Sequence, residues 1–149
     1  LEKLRGEFTL VKNDRLKKYE IVIVEIDIDI YLPFYSDLGL TVEEIQKHAQ
    51  IVEGFSVPRP EILLILKQKA YHDRVGSSKG EKDKIDIFSL LKGAQMDFAF
   101  YKKILTKGNL KGYLEELKNL LQMITEVPEL NLNQFQFSKL EKQVLDGLG

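Results

Sequence analysis

Residues 16–31 of the chain read LKKYEIVIVEIDIDIY, and this stretch sets the expected fold. Its middle part, IVIV, is apolar at four consecutive positions, which is typical of a strand covered on both faces of a sheet. The later part alternates between acidic and aliphatic residues, so Glu25, Asp27 and Asp29 fall on one strand face. The pattern predicts one long central strand with a row of three carboxylates along one side.

The segment before this strand predicts its partner in a β hairpin. Phe8 to Lys12 reads as a short strand, and Asn13 to Arg15 reads as a turn. A two-stranded hairpin is only marginally stable in water, and so apolar a strand normally has a neighbour on each edge. We therefore expect either that a second copy of the chain pairs with the free edge, or that strands encoded before Leu1 complete the sheet.

The rest of the chain has helical periodicity. Thr41 and Glu44 form a capping-box signature, which predicts a helix that ends near Gly54. Further helices are expected over 58–67, 81–92, 96–105 and 110–124, and from Ser138, where Glu141 completes a second capping box. The expected fold class is α/β (α+β): a small mixed sheet with a β hairpin, followed by a mostly helical C-terminal half.

Composition excludes several kinds of chemistry. The chain has no cysteine and only two histidines, His48 and His72, so disulfides, cysteine zinc sites, iron–sulfur clusters and thiol nucleophiles are excluded. The net charge of −1 provides no bulk attraction to nucleic acid or to an anionic membrane. Without a long apolar run or a signal-peptide pattern, we expect a soluble, cytoplasmic protein with no membrane partner.

Two familiar motifs are absent from the sequence. The glycine-containing loop at 76–80 is not a P-loop, because Glu81 follows its last glycine where that motif has lysine, and no strand precedes it. No serine lies in a Gly-x-Ser-x-Gly context, so a hydrolase nucleophile has no support.

Two sets of charged residues remain as candidates for a functional site. The carboxylates of the acidic strand could bind Mg²⁺, which prefers oxygen ligands; the alternative is a solvated outer strand face. In the second set, Asp83 and Asp86 share a helix face on which Lys79 and Lys82 can pair with them, and the alternative is a lattice of surface salt bridges. Lys67 follows an apolar turn, so its ammonium could reach either a pocket edge or bulk water.

Taken in order, these segments resemble the second half of nucleotidyltransferase-like proteins in the DNA polymerase beta superfamily. The nearest group is the AbiEii toxin type with its uncharacterised archaeal relatives. The similarity covers about half of the chain and is carried by the order and spacing of its pieces: VEIDIDIYL at 24–32, VPRPEILLILK at 57–67, Ala70, Arg74 and KGEKDKIDIFSLL at 79–91.

The resemblance implies Mg²⁺-dependent transfer of a nucleotidyl group from a nucleoside triphosphate to an unknown acceptor, either a protein or an RNA. By position, Asp29 matches the family's third metal-binding carboxylate, with Asp27 as the second choice. Lys67 and Lys82 match residues that contact the nucleotide. The resemblance implies that the catalytic residues are Asp29, Lys67, Asp83 and Asp86.

The sequence departs from the family in one respect. The family carries a Gly-Gly or Gly-Ser loop and an Asp-x-Asp strand in its first half, and neither occurs ahead of Asp29. We therefore expect an incomplete nucleotidyltransferase fold, with its C-terminal part at 1–94 and a helical extension packed on it at 95–149. The alternative is a non-catalytic module of the dimerising or toxin–antitoxin type, which forms a homodimer through its sheet edge.

Overall fold

The computed structural model describes residues 1–23 and 26–149, and the chain divides into two units, Leu1–Lys47 and His48–Gly149. The domain boundary implied by the family resemblance, after residue 94, stays a prediction. The first unit contains α1 (Glu2–Glu7), β1 (Val11–Asn13), β2 (Lys18–Ile23), β3 (Ile26–Ile30) and α2 (Val42–Lys47).

The stretch at 16–31 forms two antiparallel strands, β2 and β3, so the prediction of one long strand is wrong. Ile23 pairs with Ile26, while Val24 and Glu25 lie outside the described residues. An apolar run followed by alternation looks the same whether it belongs to one strand or to two paired strands. No glycine, proline or asparagine within the stretch signals a break.

The second strand of this sheet is central, as predicted, because the strand order is β1-β2-β3. Its second neighbour is β3, so the expected shortage of strands does not exist in this sheet. All pairings in the described residues are antiparallel, and the sheet is therefore not mixed. Ile21 is only 3% exposed whereas its neighbour Val22 is 67% exposed, so the prediction that both faces are covered is also wrong.

The strand register separates a polar face from an apolar face. Residues that pair across strands point to the same side of a sheet. The polar face carries Val11, Asn13, Lys18, Glu20, Val22, Asp27 and Asp29, and the apolar face carries Lys12, Tyr19, Ile21, Ile23, Ile26, Ile28 and Ile30. The segment after β3 returns over the apolar face, where the Tyr35 ring lies 6.2 Å from the Tyr19 ring.

The second unit begins with a β hairpin whose first strand lies where the sequence predicted the end of a helix. Its strands are β4 (Ala49–Val52) and β5 (Phe55–Pro58). The residues between them, Glu53 and Gly54, have φ of 50° and 84°, the left-handed pair that a two-residue type I′ turn requires. Gly54 therefore belongs to a hairpin turn and does not end a helix. The predicted helix start at Thr41 is confirmed, since the Thr41 hydroxyl accepts from the amide of Glu44 at 3.2 Å, but this helix is α2 and it ends at Lys47.

The remainder of the second unit is helical, as predicted. It comprises α3 (Pro60–Arg74), α4 (Ser78–Gly93), α5 (Phe98–Lys107), α6 (Gly112–Met123) and α7 (Gln134–Leu148), with a short 3-10 turn at Pro128–Leu130. The last helix begins four residues before the predicted start, because Asn133 and Gln136 form its capping box through two reciprocal 3.0 Å hydrogen bonds. None of the helices within 1–23 and 26–149 is long and apolar enough to cross a membrane.

The core of the second unit lies between α3 and α4 and the three helices packed on them. Its fully buried side chains include Ile62, Leu64, Ile65, Ile87, Phe88, Leu117, Leu121 and Phe137. Buried Gln68 links three helices, since its amide donates to the carbonyl of Tyr113 on α6 at 2.8 Å and accepts from the hydroxyl of Tyr101 on α5 at 2.5 Å. Burial raises the pKa of Tyr101, so its hydroxyl keeps the proton that it donates.

The turn from α3 to α4 depends on a glycine. Ser77 caps α4 by accepting from the amide of Gly80 at 3.0 Å, and its hydroxyl donates to the carbonyl of Arg74 at 2.6 Å. A Cβ on Gly80 would lie 2.2 Å from that same carbonyl oxygen. The two helices can therefore approach this closely only where the residue has no side chain.

We predict that Gly80→Ala destabilises the chain by about 1–3 kcal/mol, the usual cost of overpacking. The matched control is Gly93→Ala in the last turn of the same helix, where an added Cβ meets nothing within 4 Å. This control should be neutral or slightly stabilising because alanine favours helix. Thermal unfolding of the two full-length variants checks the prediction, and equal midpoints would contradict it.

Candidate functional site

Asp29 is paired with a lysine on the polar face of the sheet. The Lys18 ammonium lies 2.7 Å from Asp29 Oδ1 and 3.0 Å from Glu20 Oε1, and the Tyr31 hydroxyl donates to Asp29 Oδ2 at 3.3 Å. Glu20 is the cross-strand partner of Asp29, which explains how one ammonium reaches both carboxylates. The Lys18–Asp29 pair could not be predicted from periodicity, because it joins two strands that were predicted as one.

The contacts of Lys18 change its own pKa and that of Glu20. Burial lowers the pKa of Lys18, but its hydrogen bonds to Asp29 and Glu20 together outweigh this effect, so the net pKa is raised. The same ammonium, with a contribution from Asn13, lowers the pKa of Glu20. Lys18 and Glu20 therefore remain charged over the neutral pH range.

Asp27 and Asp29 are the described carboxylates that the sequence assigned to Mg²⁺. Both lie on the polar face of β3, two residues apart, and Glu25 falls outside the described residues. The described part of the chain contains no group of three or more side chains arranged to hold a metal ion. Two carboxylates nevertheless fit Mg²⁺, which commonly takes one or two from the protein and completes its shell with water and substrate phosphates.

Lys67 and Asp86, 19 residues apart in the sequence, meet between α3 and α4. The Lys67 ammonium lies 2.6 Å from Asp86 Oδ2. The two side chains are 39% and 48% exposed, so the pair lies at the protein surface. The structure thus brings together two of the four residues predicted to be catalytic.

Asp83 forms a second ion pair one turn earlier on α4. Its Oδ1 accepts from Arg74 Nη2 at 3.2 Å, and its Oδ2 lies 3.0 Å from the same nitrogen without a hydrogen bond of its own. Asp83 is buried whereas Asp86 is half-buried, so the two carboxylates differ in accessibility. The geometry gives Asp83 a structural contact with α3, and Lys82 beside it is exposed.

Sequence reasoning missed two charged groups in the second unit. Buried Glu61 accepts from the amide of Asp97 at 2.8 Å and from Arg59 Nε at 3.1 Å, and the Arg59 guanidinium lies 4.1 Å from the centre of the Phe100 ring. The opposite charges of Arg59 and Glu61, two residues apart, can be read from the sequence. The contact of Glu61 with the start of α5 cannot, because it joins residues far apart in the chain.

The other missed group is a His–Glu pair in a pocket. His72 Nδ1 lies 2.9 Å from Glu116 Oε2, 44 residues away in the sequence. The pocket has a volume of about 550 Å³ and is lined by residues of α3 and α6 together with Val75, which follows α3. No spacing rule could have paired His72 with a residue so distant.

We predict that Lys18→Met raises the pKa of Glu20 toward its ordinary value of 4.5. The Lys18–Glu20 pair stabilises the folded chain above that pH, and its contribution is lost as the pH falls through the lower pKa of the folded state. A ¹³C NMR titration of the Glu20 carboxyl in the full chain measures the shift. Lys3→Met, in α1, is the control; a Glu20 titration unchanged by Lys18→Met would refute the assignment.

Comparisons with family models, with curated proteins and with solved structures find no match to this chain.

Proposed function

We propose that the chain is a cytoplasmic nucleotidyltransferase-like protein that acts on a nucleoside triphosphate and an unknown acceptor, with Mg²⁺. The observation that carries the proposal is the Lys67–Asp86 pair. These two residues belong to separate motifs of the family resemblance, and their charged atoms lie 2.6 Å apart. Two motifs that meet at a half-exposed position support a shared role at that surface.

The chemistry of this pair suits a phosphate group. The Lys67 ammonium is exposed enough to exchange part of its contact with Asp86 for a phosphate oxygen, a charge-assisted contact stronger than a neutral one. Exposed Lys82 adds a second positive charge on α4. Asp86 then holds the Lys67 ammonium in position, while Asp83 fixes α4 against Arg74.

A separate set of residues, on β3, would hold the metal. Asp29 and Asp27 would supply its protein ligands, with Asp29 turning one oxygen from Lys18 toward the ion. When bound, Mg²⁺ would neutralise phosphate charge and help to generate the nucleophile. Lys18 would remain beside Glu20 and balance the charge of the Glu20 carboxylate.

We predict that Lys67→Met weakens binding of a nucleoside triphosphate by at least about tenfold, because a charge-assisted contact is lost. Isothermal titration of the full chain with each triphosphate, with and without Mg²⁺, measures the affinity. The matched control is Lys142→Met on α7, where the lysine is also exposed.

Asp29→Ala should remove the dependence on Mg²⁺ while leaving the metal-free affinity unchanged. Absence of any triphosphate binding by the unaltered chain would end the proposal.

A second candidate, a non-catalytic module that forms a homodimer, is favoured by the β4–β5 hairpin. Ile51 and Phe55 are 72% and 73% exposed. Among the described residues, β4 and β5 pair only with each other, so both outer edges of this sheet are open. Open edges with apolar side chains are a ready template for strand pairing with a second chain.

For this candidate we predict a dimer of the unaltered chain that Ile51→Lys converts to a monomer, since the charge is unfavourable in an apolar strand contact. Sedimentation velocity measures the mass. Phe135→Lys is the matched control, because Phe135 is equally apolar and highly exposed but lies on α7. A monomer at all accessible concentrations of the unaltered chain would exclude the dimer.

A further inference from the structure

The pocket between α3 and α6 has the dimensions and walls of a small-molecule site. Its volume of about 550 Å³ lies within the roughly 300–1,000 Å³ that ligand pockets usually occupy. Tyr71 and Val75 contribute apolar surface from the end of α3 and the residue after it, and Leu120 and Met123 contribute it from α6. An apolar molecule of modest size therefore has walls on two sides.

The charged residues of the pocket determine which ligand charge it favours. Glu115 and Glu116 line it together with His72, and its lining contains no lysine or arginine. Glu115 lies 4.0 Å from the Lys118 ammonium, whereas Glu116 contacts the His72 imidazole. The Glu116 carboxylate repels phosphate and attracts a cation. The pocket is therefore unsuited to a nucleotide phosphate and distinct from the Lys67–Asp86 surface.

Glu116 supplies an acceptor that the protein does not use. Its Oε2 lies 2.9 Å from His72 Nδ1, whereas its Oε1 is buried and has no hydrogen-bond partner in the described part of the chain. A buried carboxylate oxygen without a donor is unfavourable. Because the terminal torsion of glutamate is broad, a small rotation turns an oxygen toward a donor in the pocket.

We propose that this pocket binds a small organic cation, an amidine or amine nitrogen carried on an apolar body. The nitrogen would donate to Glu116, and the body would cover the apolar walls. Val75 and Met123 at these walls are mostly exposed, so covering them removes apolar surface from water. This site is separate from the proposed nucleotide function and does not depend on it.

Benzamidine is the probe, and the neutral, nearly isosteric benzamide is its control. In ¹H–¹⁵N NMR titrations of the full chain, benzamidine should give saturable shifts of the His72 and Glu116 amides. Benzamide should bind at least about tenfold more weakly, since it lacks the charge. Equal affinities, or no saturable shift with benzamidine, would overturn the proposal.

Two variants locate the interaction. Glu116→Gln should weaken benzamidine binding about 10- to 100-fold by removing the charge-assisted contact, whereas Glu126→Gln, at an exposed position outside the pocket lining, should leave it unchanged. Met123→Arg places a cation at a highly exposed pocket position and should also weaken binding, without disturbing the core. Unchanged affinity in a folded Met123→Arg variant would place the probe elsewhere and overturn the assignment.

Discussion

The close contact between α3 and α4 at the Arg74–Gly80 corner is the constraint on which the second unit depends. Gly80 lies against the Arg74 carbonyl in a space that holds no Cβ, and Ser77 ties both helix ends together. With the corner fixed, the register of the two helices follows. Asp83 then faces Arg74, and Asp86 comes within reach of Lys67. The charged surface is thus a consequence of a backbone contact, and surface ion pairs alone would be too weak to impose it.

A second link carries this register to the rest of the unit. Gln68 lies on α3 and is bonded to Tyr113 of α6 and Tyr101 of α5. A buried amide with both ends satisfied strongly favours one arrangement, since any slip of a helix leaves a buried polar group without a partner. Its position on α3, one turn before His72, also helps to place the pocket wall formed by α6. The core therefore sets the geometry of both candidate sites.

Elements that depend on interactions between residues close in the sequence were predictable, and those that depend on contacts between distant residues were not. The helices α3 to α7 were predictable because apolar periodicity and capping residues are local. The start of α2 at Thr41 was also predictable. The reversal within 16–31 and the end of α2 before Gly54 were not, since alternation does not reveal where a strand reverses, and Glu53 contributes a left-handed φ that is rare outside glycine. The Lys67–Asp86 pair was expected on one surface only through the family resemblance. The contacts of Lys18 with Asp29 and of His72 with Glu116 depend on tertiary pairing, which no spacing rule contains.

The second unit separates its charges in a way that bears on function. Lys67 and Lys82 present exposed cations near a carboxylate that only partly neutralises them, an arrangement suited to an anion. The pocket that His72 lines presents carboxylates and apolar walls without a lysine or arginine, an arrangement suited to a cation. Each site excludes the ligand of the other by charge, because like charges in a partly desolvated pocket repel more strongly than they do in water. One helix, α3, contributes Lys67 to the first site and Tyr71 and His72 to the second, so a ligand that shifts α3 at one site would alter the geometry of the other.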